Sequence, residues 1–238
     1  MMMINYDNLS IVQATAIQDE LRAGLRFDLA GEREFTTIGG ADISFNKGSS
    51  EFFATIVVLG FPNMVLQAYA LARGSSDFPY VPGYLGFREV PSLLKAWELI
   101  PQKPDILVLD GQGILHPRQM GIASHFGVLT QHLTIGCAKN SLFGKYEPLG
   151  LEKYAASPIY GHGGVAGYAL RTKDGVQPVY ISPGYGINVP QSLAVMRKCI
   201  GKYRIPEPTR IAHEVVNKFR MGELKEGFHK VIQNPELF

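Results

Sequence analysis

Ile106-Leu107-Val108-Leu109-Asp110 is the stretch that decides the fold, with four aliphatic residues in a row followed by an acid. A short run that is apolar at every position predicts a strand buried on both faces, as in a parallel sheet. A second run of this kind follows at residues 133–138, after a predicted helix at residues 121–129. Because strand–helix–strand connections join parallel strands, this part of the chain predicts an α/β fold.

The chain before this stretch has a different pattern. Three strand-like runs, at residues 37–45, 51–61 and 65–72, are separated only by short turns. Strands joined by short turns pair antiparallel, so these runs predict an antiparallel meander. The whole chain is therefore expected to form a mixed sheet, an antiparallel meander plus parallel strands, flanked by helices.

Capping and turn residues predict the remaining elements. Ser10 is a candidate N-cap for a helix over residues 9–25, Pro190 lies in the first turn of another that ends before Gly201, and Thr209 is a candidate cap for the last. The spacing also predicts a helix over residues 91–100 and strands at residues 167–172 and 179–182. The tail after Met221 is expected to be irregular.

The segment GHGGVA, at residues 161–166, fits a dinucleotide-binding fingerprint. That motif requires a strand before it and a helix after it, and here a strand-like run follows, so we interpret the segment as a flexible loop. The sequence contains no internal repeat and no linker-like segment. One domain covering residues 1–238 is the simpler expectation.

Composition restricts the class of protein more than its partners. The chain has 238 residues, 46% of them hydrophobic, which is enough for a sizeable core. Its formal net charge of +2 says little about whether it binds nucleic acid. The apolar run at residues 54–61 is too short to cross a membrane, and Cys137 and Cys199 lie in apolar segments as buried thiols would. These features favour a cytoplasmic protein.

Three acidic residues stand where acids are unexpected. Asp42 interrupts the first predicted strand, Asp110 ends the aliphatic strand, and Glu89 lies just before the helix that contains Trp97. Asp110 could simply begin a turn, and Glu89 could stabilise a helix N-terminus. An aspartate inside a strand has no such explanation. Together the three predict a hard-cation site, because carboxylate oxygens suit Mg²⁺.

Longer segments carry a resemblance to a known family. PYVPGYLGFRE, at residues 79–89, closely resembles the long signature of the endonuclease V family. Further matches in family order are GGAD at 39–42, DGQG at 110–113, HPR at 116–118, GIASHFG at 121–127, TIGCAK at 134–139 and PEPTR at 206–210. The resemblance extends from Gly39 to His213, which is most of the chain.

The resemblance implies a ribonuclease H-like fold and a catalytic centre. Asp42, Glu89 and Asp110 would be catalytic metal ligands, and His213 falls where the family places a residue that completes the site. Lys139 would be catalytic by approaching the scissile phosphate or positioning the attacking water. The implied cofactor is Mg²⁺, for which Mn²⁺ is expected to substitute.

The resemblance also implies how damaged DNA would be held. Residues Pro79, Tyr80, Val81 and Pro82 would form a wedge that enters the duplex, where an aromatic ring can replace lost stacking. The pocket for the extruded base would be lined by Gly83, Leu85, Gly111 and Ile122. His116 is a candidate for supporting the site from behind or for contacting a phosphate. His125 is more readily interpreted as a core histidine.

The implied reaction is hydrolysis of the second phosphodiester bond 3′ to deoxyinosine, leaving a 3′-hydroxyl and a 5′-phosphate. The expected partner is damaged DNA, with inosine-containing RNA as a second candidate, and nothing requires more than a monomer. Two alternatives stay open at this point. One is a ribonuclease H-like nuclease that prefers RNA or branched DNA, and the other is a non-catalytic binder of deaminated nucleic acid.

Overall fold

The computed structural model describes residues 4–231, and within them all strands belong to one mixed sheet. The strands are β1 (Thr37–Phe45), β2 (Glu51–Gly60), β3 (Leu66–Ser75), β4 (Ile106–Leu109), β5 (Thr134–Ala138), β6 (Ala156–Gly161), β7 (Gly164–Leu170), β8 (Val179–Tyr185) and β9 (Gly227–Lys230). The helices are α1 (Ile11–Ala23), α2 (Leu85–Leu99), α3 (Ile122–Thr130), α4 (Val189–Lys198) and α5 (Glu207–Arg220). The strand order across the sheet is β6-β7-β8-β5-β4-β1-β2-β3-β9.

Pairing directions confirm the predicted division of the sheet. Strands β1, β2 and β3 form the antiparallel meander, whereas β4 pairs in parallel with β1 on one side and with β5 on the other. Strand β4 therefore lies in the middle, next to the first strand of the meander. This central position explains why it is apolar at every residue.

Each face of the sheet has its own core. Ile106 and Val108 contribute to a cluster under α4 and α5, whereas Leu107 and Leu109 contribute to a cluster under α2 and α3. The alternation of side chains along a strand makes this division unavoidable. The predicted two-sided burial of β4 is confirmed, and all four of its residues are fully buried.

A close contact between β1 and the start of α5 positions one side of the site. A Cβ atom at Gly40 would lie 1.9 Å from the carbonyl oxygen of Pro208, so only glycine allows this approach. The helix then runs along β1, and His213 is brought to the end of the strand that carries Asp42. Glycine at position 40 thus controls how α5 packs on the sheet.

Four local predictions need correction. Helix α2 begins at Leu85, six residues before the predicted start at residue 91, and contains Pro91 in its interior. The segment at 161–166 is part of the β6–β7 hairpin rather than a flexible loop, with His162 and Gly163 at positive φ in the turn and the other residues in the strands. Strand β9 pairs with β3 inside the tail expected to be irregular. Helix α5 begins at Glu207, two residues before the predicted cap at Thr209.

Other expectations agree with the structure. Ser10 caps α1 with a complete capping box, and Cys137 and Cys199 are buried free thiols. Within the described range, no helix is long and apolar enough to cross a membrane. The single domain over residues 1–238 stays a prediction, as do the monomeric state and the cytoplasmic location.

Candidate active site

Asp42 and Asp110 are brought side by side by strand register. Ala41 of β1 pairs with Leu109 of β4, and each of these residues is followed by an aspartate. The backbone N–H of Asp110 donates to the carbonyl of Ala41 at 3.3 Å, which continues the pairing by one step. Because the two aspartates are neighbours in register, their side chains point to the same face of the sheet.

Glu89 approaches the same place from a helix. It lies in the second turn of α2, half-buried, and not before the helix as the sequence suggested. Burial, followed by the negative charges of Asp42 and Asp110, raises the pKa of Glu89 to about 8. The influence of both aspartates shows that three carboxylates from three different elements share one region of negative potential.

His213 contacts Asp42 directly. Its Nδ1–H donates to Oδ2 of Asp42 at 2.7 Å, while the other carboxylate oxygen accepts the backbone N–H of Ile43 at 2.8 Å. The hydrogen bond to Asp42 raises the pKa of His213. Nε2 of His213 accepts from the side-chain amide of Asn217 at 3.1 Å, so both ring nitrogens have partners within the protein.

Lys139 provides the positive charge beside the other aspartate. It follows β5 directly, and its Nζ lies 2.5 Å from Oδ2 of Asp110. Burial alone would lower the pKa of Lys139, but the charge of Asp110 and the hydrogen bond to it outweigh this, and the pKa is raised. Burial and the neighbouring Asp42 raise the pKa of Asp110 even though Lys139 opposes them.

The donor set fits a hard divalent cation. Three carboxylates and one imidazole influence one another here, and Lys139 contacts one of the carboxylates. The raised pKa of Glu89 has burial as its first cause and the charges of the two aspartates as its second. Within residues 4–231, no three His, Cys, Asp or Glu side chains are already arranged around a common metal position. Asp42 is turned toward His213 and Asp110 toward Lys139. A cation would therefore compete with these two contacts for the same oxygens.

The predicted wedge is an exposed loop with a fixed base. Pro79, Tyr80 and Pro82 are exposed, Tyr80 by 72%, whereas Val81 packs against the aromatic cluster that contains Phe78. The guanidinium of Arg88 lies 5.8 Å from the centre of the Tyr80 ring and donates to the carbonyl of Phe78 at 3.0 Å. The tip is thus free to contact a partner while its ends are attached to α2.

Gly83 directly follows the wedge and attaches it to the rest of the protein. Its φ of +84° favours glycine, and its carbonyl accepts from Gln18 Nε2 at 2.9 Å, His116 Nε2 at 2.9 Å and Arg118 Nη2 at 3.1 Å. These three hydrogen bonds connect the wedge to α1 and to the segment after β4. They hold the wedge near the segment that begins with Asp110.

A small cavity of about 50 Å³ lies behind the wedge. Its walls include Gly83, Leu85, Gln112, His116, Ile122 and Leu142. Since ligand pockets usually enclose about 300–1,000 Å³, this cavity must widen before it accepts a base. Leu142 is 45% exposed and lies in the segment that follows Lys139, so movement of that segment would open the cavity.

Comparison with known proteins agrees with this geometry. The sequence profile of the Endonuclease V family matches residues 19–214, which include all the carboxylates, Lys139 and His213. The chain belongs to the endonuclease V family. Membership makes it a nuclease, and nucleases of this family are metal-dependent. The profile match covers the wedge and the cavity walls as well.

Solved endonuclease V structures share the fold. The enzyme from Streptomyces avermitilis is 38% identical, with a TM-score of 0.84 over 90% of this chain and 94% of that one. The catalytic domain of human endonuclease V is 31% identical, with a TM-score of 0.82 over 90% and 96%. Ciona intestinalis endonuclease V, in complex with a DNA that contains an inosine followed by a ribo-adenosine, is 25% identical, with a TM-score of 0.79 over 90% and 99%. The ribonuclease H-like fold is confirmed.

The surroundings of two predicted site residues, His116 and Gly111, suggest what each does. His116 is only 2% exposed; its Nε2–H donates to Gly83, and its Nδ1 accepts the backbone N–H groups of Arg118 and Met120. Burial lowers the pKa of His116 to about 4, so it is neutral and supports the wedge from behind rather than contacting a phosphate. A Cβ at Gly111 would meet Ile122 Cγ2 at 2.6 Å, so glycine at this position lets Ile122 approach, and the place of Gly111 in the base pocket stays a prediction.

Sequence reasoning missed several residues that the endonuclease V fold brings to the site. Gln18 is 1% exposed and lies on the same helix face as the buried Ala14 and Leu21, so a polar residue inside an apolar stripe was the available signal. Asn217 follows His213 by one helical turn, a spacing that also gives a detectable signal. Gln112 and Leu142 gave none, because their places depend on contacts between distant segments.

Proposed function

We propose that this endonuclease V is a DNA repair enzyme that hydrolyses the second phosphodiester bond 3′ to a deoxyinosine and leaves a 3′-hydroxyl and a 5′-phosphate. The observation that carries the proposal is the convergence of Asp42, Glu89 and Asp110 beside a wedge and a cavity. A non-catalytic binder would have no use for three carboxylates gathered in one place, where the charge of Asp42 helps to raise the pKa of Glu89 and of Asp110. The complex of the Ciona relative with inosine-containing DNA supports the class of substrate.

The proposed cofactor is Mg²⁺, with Mn²⁺ as a substitute. When bound, the ion activates a water molecule and stabilises the leaving oxygen. Asp42, Glu89 and Asp110 would hold it through oxygen atoms, and His213 would complete the site. Because Asp42 and Asp110 already engage His213 and Lys139, these two contacts keep the carboxylates in place before the ion arrives.

Lys139 is proposed to act on the substrate side of the carboxylates. Its Nζ is held at 2.5 Å from Asp110, and its side chain is 41% exposed, so it can reach a phosphate oxygen without moving far. A positive charge at that point favours the extra negative charge of the transition state. The same ammonium group can also orient the attacking water by donating to it.

The wedge is proposed to select the lesion by inserting between base pairs. Prolines at 79 and 82 restrict the loop, and the exposed Tyr80 ring offers a surface on which a base can stack. Extrusion costs least for a mismatched or damaged pair, and the small cavity behind the wedge would receive the extruded purine. The wedge, proposed for recognition, and the segment after Asp110, proposed for cleavage, are then connected by the hydrogen bonds to the Gly83 carbonyl.

The test is a cleavage assay on a labelled duplex with one deoxyinosine, run beside an undamaged duplex. Each is incubated with Mg²⁺, with Mn²⁺ and with EDTA, and Asp42→Ala serves as the inactive variant. Asp28→Ala, which changes an exposed aspartate between α1 and β1, is the matched control. We expect one metal-dependent cut at the second phosphodiester bond 3′ to the lesion, between the first and second nucleotides on that side, and no cut with Asp42→Ala.

A ladder of known length identifies the cut bond, and direct sealing of the nick by DNA ligase, without prior kinase or phosphatase treatment, identifies a 3′-hydroxyl and a 5′-phosphate. Cleavage of undamaged DNA at the same rate would contradict lesion recognition. Cleavage confined to inosine-containing RNA would move the substrate to RNA, and binding without cleavage of either would favour the non-catalytic alternative.

A further inference from the structure

Gln112 is a buried polar residue in the wall of the cavity that the proposed reaction does not use. Its side chain is 8% exposed and lies two residues after Asp110. The amide nitrogen Nε2 donates to the carbonyl of Asn140 at 2.8 Å. A carbonyl can only accept, so this bond determines which end of the amide faces Asn140 and which end does not.

The other end of the amide has no partner. Oε1 of Gln112 is buried, and no donor among residues 4–231 reaches it. A buried acceptor that lacks a hydrogen bond costs about 1–3 kcal/mol, so such an atom is rare unless something else completes it. Because Gln112 lines the cavity beside the wedge, a donor on a molecule bound there would complete this oxygen.

We infer that Oε1 of Gln112 accepts the N1–H of the extruded hypoxanthine and thereby distinguishes it from adenine. This inference rests on the proposed function. Hypoxanthine carries a hydrogen on N1, whereas adenine presents a lone pair there. With adenine, the N1 lone pair would face Oε1 of Gln112, so two acceptors would meet in a buried site. The Gln112 oxygen would then still lack a hydrogen bond, and its free-energy cost would remain. Gln112 is a specificity-determining residue in this scheme.

The bond from Gln112 to Asn140 has to be distinguished from the proposed contact with N1–H of the base. Its bond to Asn140 connects the segment after Asp110 with the segment after Lys139, so a substitution also disturbs the catalytic lysine. Such a disturbance slows every substrate by the same factor. Loss of the N1–H contact slows only substrates that carry that hydrogen, so a ratio of substrates separates the two effects.

The experiment compares a deoxyinosine duplex with a deoxynebularine duplex, whose purine has an unprotonated N1. Gln112→Met keeps the length of the side chain and removes both polar atoms, whereas Gln112→Glu keeps an acceptor and loses the donor to Asn140. Both kcat/KM and the binding affinity in EDTA are measured, with thermal unfolding as the check on folding. We expect Gln112→Met to lower the preference for deoxyinosine by about 5- to 100-fold.

Gln112→Glu tests the acceptor that faces the base separately from the hydrogen bond to Asn140. We expect it to retain the preference for deoxyinosine while losing rate on both substrates, because only its contact with Asn140 is lost. Equal slowing of both substrates by Gln112→Met, with an unchanged affinity ratio, would overturn the inference and leave Gln112 as an anchor. If the unaltered protein does not cut deoxyinosine at all, the proposed function and the inference are overturned together, and this is seen before any variant is compared.

Discussion

Nδ1 of His213 lies 2.7 Å from Oδ2 of Asp42, although the two residues are 171 positions apart in the chain. The contact joins the last helix to the first strand, and it exists because Gly40 lets α5 approach β1 without a clash. It gives His213 a defined position at the carboxylates and gives Asp42 a donor while no cation is bound. The predictions below start from this pair and from the contacts around it.

Replacing His213 with Ala is expected to weaken cation binding rather than DNA binding. The substitution removes a candidate ligand and the group that orients Asp42, and losing such a partner costs about 10- to 100-fold in metal affinity. The Mg²⁺ concentration for half-maximal cleavage should rise by that factor, while the affinity for a deoxyinosine duplex in EDTA stays constant. His229→Ala, on the edge strand β9, is the control. An unchanged Mg²⁺ requirement would remove His213 from the site.

Replacing Lys139 with Met is expected to slow cleavage and strengthen cation binding at the same time. The ammonium group occupies an oxygen of Asp110 at 2.5 Å and repels a neighbouring cation, so its removal favours the ion. The rate at saturating Mg²⁺ should nevertheless fall by about 100- to 1,000-fold, as when one electrostatic stabiliser is lost. Single-turnover rates across a Mg²⁺ titration separate the two effects, with the exposed Lys145→Met as control. A rate that recovers at high Mg²⁺ would mean that Lys139 only arranges the metal site.

Replacing Tyr80 with Ala is expected to reduce binding of damaged DNA with and without metal. Its ring is 72% exposed, so the change should leave the melting temperature almost unaltered. Loss of a base–aromatic stack costs about 1–3 kcal/mol, equivalent to about 5- to 150-fold in affinity. Fluorescence anisotropy with a deoxyinosine duplex, in EDTA and in Ca²⁺, measures the effect. Tyr203→Ala changes another exposed tyrosine and should bind normally; equal affinities for both variants would refute the wedge role.

Asp105 predicts a pH-dependent part of the stability. Its Oδ2 accepts the backbone N–H and hydroxyl groups of Thr36 and Thr37 at 2.8–3.1 Å, which joins the start of β4 to the start of β1. Partial burial alone would raise the pKa of Asp105, but these four hydrogen bonds outweigh it and lower the pKa. The stabilisation is therefore complete above the unfolded-state pKa of about 3.9 and is lost as the pH falls through the lower folded-state value.

Asp105→Asn should lower the free energy of unfolding by about 1–2 kcal/mol at pH 7, a modest figure because the carboxylate is partly exposed. The difference from the unaltered protein should be constant between pH 7 and pH 5 and shrink below pH 4. Urea unfolding in EDTA at pH 7, 5 and 3 measures it, with Asp28→Asn as the exposed control. A difference that grows on acidification would have the wrong sign and would contradict the assignment.

The local signals in the sequence were sufficient for much of the sheet. Strand β1 was predicted to the residue, and β4 was placed correctly because its position between β1 and β5 requires apolar side chains on both faces. Helix α2 and strands β6 and β9 were misplaced or missed for a common reason. A proline inside a helix, a glycine-rich hairpin and an edge strand of alternating polar residues all have local patterns that resemble irregular chain.

Some features of the candidate site are likewise visible in the sequence, and others are visible only in the structure. The sequence alone determined which residues are candidates for the chemistry, because Asp42 inside a strand, Asp110 after an aliphatic strand and the long segment at residues 79–89 are unusual wherever the chain folds. Tertiary structure alone decided that His116 is buried under the wedge, that Gly111 lets Ile122 approach, and that an acceptor of Gln112 in the cavity wall finds no partner within residues 4–231. Partners and burial depend on segments far apart in the chain, and side-chain type does not encode which of those segments will meet.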